Sequence, residues 1–172
     1  MVDYNWYGIV VGSELQQGDF IFDLEVPVVR ETKQDEPLVE MQTFDTIILT
    51  QSCDIQKKAV EHVVLCPVWD IKVAAKINPQ FDTKGGLERL RKRQVVAFHM
   101  LSQCDLLGHQ WDYMVVQFER IIVMPKDTIL QLITSQRQHL RLLPPYREEM
   151  AQRFGMFFAR VGLPIEIPSF KS

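Results

Sequence analysis

DTIILTQSCDI (Asp45–Ile55) is the stretch that decides the fold, read together with GDFIFDL (Gly18–Leu24) before it and HVVLCPV (His62–Val68) after it. Ile47-Ile48-Leu49 and Val63-Val64-Leu65 are short, continuous, mostly β-branched apolar runs, the pattern of buried strands. A glycine-aspartate turn opens the first strand, and the second ends in the polar cluster Gln51-Ser52-Cys53-Asp54. The third leads into Pro67. Compact barrels place polar residues at strand mouths in this way, so the same phrases that predict a sheet also mark a candidate site.

Working outward, Trp6 to Val11 reads as a strand closed by a Gly12-Ser13 turn. Phe20 to Val29 carries apolar residues near alternate positions after the turn Gln16-Gln17-Gly18-Asp19. Residues 30–43, rich in Glu, Gln, Asp and Lys around Pro37, predict an exposed hairpin tip or mobile loop. Trp69 to Asn78 predicts a short helix stopped by Pro79. Val95 to Leu101 and Tyr113 to Met124 read as the arms of a further hairpin around Asp105 and Gly108, the later arm being the longest strand candidate. Asp127 is placed to cap a short helix through Ile133. The clearest helix follows Pro144-Pro145, with Glu148 and Glu149 in its first turns and Met150, Phe154, Phe157, Phe158 and Val161 at helical spacing before Gly162 and Pro164. Arg141, Tyr146, Arg147 and Arg160 are expected to form a network at its ends, an Arg–carboxylate pair fixing its docking angle. His139, just before the prolines, reads as a hydrogen-bonded surface histidine.

A chain of 172 residues is long enough for one well-buried core. Its three cysteines, Cys53, Cys66 and Cys104, are widely spaced and form no CxxC, which predicts reduced thiols in a cytoplasm. No signal peptide or membrane span is predicted. The net charge of −3 divides into −9 over residues 1–70 and +6 over residues 71–172. Either the basic half presents an acid-binding face or the two halves neutralise each other within one globule.

Two clusters are candidate binding sites. Gln51, Ser52, Cys53 and Asp54 offer an amide, a hydroxyl, a thiol and a carboxylate at a strand exit. The negative charge of the adjacent Asp54 argues against a nucleophilic thiolate; in the competing reading Asp54 closes an Asx-type turn and Cys53 packs as a small apolar residue. The second cluster is KGGLERLRKR, with Lys84, Arg89, Arg91, Lys92 and Arg93. It predicts a phosphate-binding surface, a solvated helix face or a dock for the acidic half, with no interleaved aromatic rings for base stacking. Ser102-Gln103-Cys104-Asp105 echoes the first cluster. Were the two turns at one end of the sheet, Cys53 and Cys104 could share zinc with His62, His99 or His109, although no pair has zinc-finger spacing.

The order of a Gly-Asp strand, a long loop, a buried strand ending in a polar turn and a strand ending in Cys-Pro resembles the SH3-like barrel of the MazF/PemK endoribonuclease toxins. The resemblance covers residues 18 to about 70: Gly18-Asp19-Phe20-Ile21 matches the opening strand, Ile47-Ile48-Leu49-Thr50 the central one, and Val64-Leu65-Cys66-Pro67-Val68 the Cys-Pro strand. It implies a barrel. The family's catalytic arginine and hydroxyl are replaced here by Phe44-Asp45-Thr46 and Val68-Trp69-Asp70, and Asp45 would repel the phosphate that a guanidinium stabilises. RNA cleavage would then require relocated residues such as Thr50, Ser52, Asp54 and Lys57 or Lys58.

The expected protein is therefore one α+β domain over residues 1–172. A small curved antiparallel sheet or SH3-like barrel occupies residues 1–124, and a helical segment, 125–172, packs its C-terminal helix on it. The expected function is a non-enzymatic binding or adaptor module of a bacterial or phage-type cytoplasmic system. Its partner would be a protein or a second copy of the chain, with nucleic acid possible through the basic half, and no cofactor or metal. The alternatives are a MazF/PemK-like endoribonuclease and a Cys-based metal protein.

Overall fold

The computed structural model describes residues 4–30 and 38–159. In chain order it runs β1 (Tyr7–Val11), β2 (Phe20–Arg30), β3 (Leu38–Ile48), α1 (Ser52–Ile55), β4 (His62–Asp70), α2 (Ile71–Ile77), a 3-10 turn (Pro79–Asp82) and α3 (Lys84–Arg91). It continues through β5 (Phe98–Leu101), β6 (Cys104–Leu106), β7 (His109–Trp111), β8 (Met114–Gln117), β9 (Ile122–Pro125), α4 (Lys126–Gln136), β10 (Gln138–Leu142) and α5 (Tyr146–Phe158). This is an α+β fold whose strand pairs are all antiparallel among the described residues.

The central strand is β4. One edge of β4 pairs with β3, and the other pairs first with β9 and then with β8, which β5 extends. On the far side of β2, a bridge from Asp19 to Arg141 and a Leu142 N–H to Gly18 carbonyl bond of 2.8 Å attach the β1–β10 pair. The sheet stays open, with no ladder joining β1 to β5 among the described residues. The expected α+β architecture with an antiparallel sheet is present, and the SH3-like barrel does not close among the described residues.

Period-two alternation explains why the decisive runs are apolar without a break. Phe20, Ile47, Cys66 and Val116 face a core completed by Met150, Phe154 and Phe157 of α5. Their neighbours Ile21, Ile48 and Leu65 face the opposite core, completed by Ile129 and Ile133 of α4. Each such side chain fully buried stabilises the fold by about 2 kcal/mol. A third core gathers Ala74 of α2, Phe81, Leu90 of α3, Phe98 and Val115. The C-terminal helix docks through aromatic contacts, with Phe154 meeting Phe118 edge-on at 5.4 Å between ring centroids.

Several expectations are corrected. Tyr113 to Met124 is not one strand: the chain turns at Phe118–Ile121, where Phe118 drops into the core and Arg120 lies over the Phe44 ring at 4.2 Å. The longest strands are β2 and β3, eleven residues each, and the ladder between them reaches Arg30 and Leu38. Much of the expected 30–43 loop is therefore strand, while its centre lies outside the described residues. Asp127 sits in the first turn of α4 without capping it. Strand β10 lies inside the segment expected to be helical. Val161, Gly162 and Pro164, expected to finish α5, and Arg160 lie outside the described residues.

Candidate binding cleft

The Gly-Asp turn is organised by a buried charge. Asp19 is fully buried, and its carboxylate accepts hydrogen bonds from Arg141 Nε, from Arg141 Nη2 at 3.0 Å and from the Gln16 N–H at 2.7 Å. Arg141 Nη2 also donates to the Glu14 carbonyl at 2.8 Å, and His139 Nε2 lies 3.3 Å from Asp19 Oδ1. A buried carboxylate is tolerated only when paired and fully hydrogen-bonded, and this one is. Arg147 pairs with Glu148 within the expected network at the helix start, whereas the buried Arg–carboxylate lock is made by Arg141 and Asp19 and ties the Gly-Asp turn to β10 rather than fixing the C-terminal helix. His139 is a buried member of the cluster, not the surface histidine expected.

That lock presents the turn to the Gln51–Asp54 cluster. Gln17, nearly buried, donates its backbone N–H to Ser52 Oγ at 3.1 Å and its side-chain amide to the Leu49 carbonyl at 2.7 Å. Gly18 has φ +86°, and a Cβ there would stand 3.0 Å from the Leu142 carbonyl oxygen and 3.1 Å from Arg147 Cγ. Glycine is required both by the left-handed backbone and by the close approach of Arg147. Arg147, in the first turn of α5, donates to Gln16 Oε1 at 3.3 Å and to Glu148 Oε1 at 2.6 Å.

The result is an open cleft of about 450 Å³ lined by Gln17, Gln51, Ser52, Cys53, Arg147, Glu148, Ala151 and Gln152. Three of the four predicted residues meet in it with two segments read separately in the sequence, the Gly-Asp turn and the start of the C-terminal helix. Asp54 is not among the lining residues: its carboxylate accepts from Lys57 Nζ at 2.6 Å instead of closing an Asx turn. Cys53 is exposed rather than packed, and its thiol donates to Gln51 Oε1 at 3.7 Å. The acidic lining group, Glu148, is already ion-paired to Arg147. Among the described residues, no unpaired base therefore faces the Cys53 thiol.

The basic cluster lies elsewhere, on and after α3. Lys84 begins the helix and Arg89 donates to Gln80 Oε1 at 3.3 Å. Arg91 forks onto Glu88 at 2.7 and 2.8 Å, Lys92 reaches the same carboxylate at 3.2 Å, and Arg93 pairs with Glu149 of α5 at 2.5 Å. Arg91 and then Lys92 hold the Glu88 carboxyl down at about 2. Three of the five cations are thus engaged by carboxylates while their side chains stay exposed.

Cys104 is buried in the core beneath α5, apart from the cleft, and burial raises its thiol pKa. Burial pushes the Cys66 thiol up to about 12. Among the described residues, no group of three His, Cys, Asp or Glu side chains could hold a metal ion. The Cys-Asp echo therefore assembles no zinc site there. Nor is any described helix long and apolar enough to cross a membrane.

Sequence reasoning offered His99 only as a possible zinc ligand and missed its burial. His99 alternates with Phe98 along β5, so Phe98 enters the third core while the His99 ring stacks near Phe118 at 6.1 Å under α5. Both ring nitrogens are buried without a hydrogen-bond partner. Burial, reinforced by the cations Arg153 and Arg93, drives its pKa down to about 3. The only signal in the sequence was its place inside an apolar strand. The chain matches no protein-family model, no curated protein and no solved structure.

Proposed function

We propose that this protein is a non-enzymatic binding module of a bacterial or phage-type cytoplasmic system, which holds a protein partner or a second copy of itself at the cleft of Gln17, Gln51, Ser52, Cys53 and Arg147. One observation carries the reading. Three polar segments far apart in sequence converge on one open cleft, while its charged groups are already satisfied by each other. Such a surface offers amides, a hydroxyl and a thiol for hydrogen bonding and has no poised base. The unpaired thiols of Cys53, Cys66 and Cys104 fit a reducing compartment. A kinship with SH3-like barrels of MazF/PemK type rests on the Gly-Asp turn and on the order of β2, β3 and β4, with the barrel left open.

The endoribonuclease alternative has weaker support. Thr50 Oγ1 accepts the Val64 N–H at 2.7 Å, and Asp54 is held by Lys57. Titrating the protein into fluorescein-labelled single-stranded RNA, followed by sizing of the RNA, tests the reading. Intact RNA and an anisotropy that does not rise at moderate salt are expected. Cut RNA, abolished by Asp54→Ala or Ser52→Ala, would overturn it in favour of the toxin class.

A further inference from the structure

A second pocket opens on the other side of the first turn of α5, with a volume of about 190 Å³. Its floor is apolar and aromatic, from Trp6, Leu90 and Met100, and Tyr113 stands at its side. Trp6 is held rigid by stacking on Tyr146 at 3.6 Å between ring centroids. Arg91 and Arg93 enter from the end of α3, and Glu149 enters from α5. Arg93 adopts the left-handed backbone, φ +63°, which costs a non-glycine residue about 1 kcal/mol and turns its guanidinium across to Glu149.

The feature that asks for a ligand is His99. It lines this pocket, is only 3% exposed, and leaves both ring nitrogens without a partner. Native proteins rarely bury an imidazole without any hydrogen bond, because each unsatisfied group costs about 1–3 kcal/mol. A neutral imidazole presents one donor and one acceptor on opposite edges of its ring. An apolar lining beside the Trp6 ring suits a planar ring, and the Arg93 guanidinium, which already holds the Glu149 carboxylate at the pocket, suits a ligand carboxylate in its place.

We propose that this pocket binds a small aromatic carboxylate, its ring between Trp6, Leu90 and Met100, its carboxylate taking the place of the Glu149 carboxylate on the exposed Arg93 guanidinium, and one of its polar atoms on the His99 ring. The size of the pocket limits the ligand to a one- or two-ring acid, smaller than the drug-sized ligands that fill cavities of about 300–1,000 Å³. The site is separate from the cleft of Cys53, so neither reading depends on the other.

Benzoate, salicylate and indole-3-carboxylate serve as probes, followed by saturation-transfer NMR and by the side-chain 15N shifts of His99, with benzamide as the uncharged control. At least one acid binds and moves the His99 ring signals. Benzamide binds at least about tenfold more weakly, as expected when a charge-assisted bond is lost. His99→Phe and Arg93→Gln each weaken the acid by about tenfold or more while the exposed control Lys76→Gln does not. Near-ultraviolet circular dichroism confirms that each variant keeps its packing. No binding of any probe to the wild-type protein at millimolar concentration overturns the proposal, as does an acid that binds His99→Phe or folded Arg93→Gln unchanged.

Discussion

Replacing His99 by Phe should make the protein more tolerant of acid. The native state holds this imidazole neutral down to about pH 3, whereas the unfolded chain protonates it near its ordinary value of about 6.5. The unfolded state therefore takes up the proton first as the pH falls. The stability tied to the neutral ring is complete above the unfolded pKa and is lost progressively toward the folded one. Between pH 7 and pH 5 the loss amounts to about 2 kcal/mol, which rises to about 5 kcal/mol below pH 3. A phenylalanine has no proton to exchange. It can keep the stacking on Phe118 and leaves no ring nitrogen stranded. At pH 7 His99→Phe should be as stable as the parent or more so by about 1 kcal/mol. Urea unfolding at both pH values measures this, a change of about 2 kcal/mol moving the midpoint by roughly 1 M. If His99→Phe loses as much stability as the parent between pH 7 and pH 5, the proton linkage assigned to His99 is wrong. A loss beyond about 2 kcal/mol at pH 7 would mean that the imidazole has a native partner.

Further outcomes follow from other parts of the molecule. Asp19→Ala strands Arg141 in the core and should cost about 3–5 kcal/mol, enough to unfold much of the protein, read by urea unfolding. Gly18→Ala should lower stability by about 1–2 kcal/mol through its left-handed backbone alone; an unchanged thermal midpoint would remove the argument for that glycine. Titration with a colorimetric disulfide reagent should modify one thiol, Cys53, in the native protein, and release Cys66 and Cys104 only on unfolding. Tyr7→Phe removes a buried hydroxyl that donates to the Ser102 carbonyl at 2.7 Å and should cost about 1 kcal/mol by the same unfolding assay.

The pairs Phe20/Ile21, Ile47/Ile48 and Leu65/Cys66 made the sheet legible, because each puts one side chain into each core and leaves no polar position to break the run. The turn at Phe118–Ile121 was not legible. It contains no glycine or proline, and it forms where β4 exchanges one neighbour for another, a tertiary event. Strand β10 was hidden for a related reason. His139 and Arg141 look like surface residues until Asp19, far upstream, pairs them in the interior. Gln51, Ser52 and Cys53 were readable as a strand-end cluster, since polar residues after an apolar run have few other reasons to be there. Their meeting with Arg147 was not, since no local pattern encodes contact between the first turn of one helix and a turn near the start of the chain. The pairing of the basic stretch was only half legible: Glu88 sits inside it, but Glu149 arrives from α5, and together they pair with three of its cations.

The most direct test of the binding cleft is comparative capture from the cells in which the protein is native. Wild-type bait, bait alkylated at Cys53 with a bulky maleimide, and folded Arg147→Glu bait would be quantified side by side by mass spectrometry. One partner, either a distinct protein or a second copy of the chain, should be retained by the wild type and fall by about tenfold or more with both blocked forms, the change expected when a buried polar contact is broken. A partner held equally by all three baits would contradict the cleft, as would a wild-type bait that retains nothing the blocked baits lack.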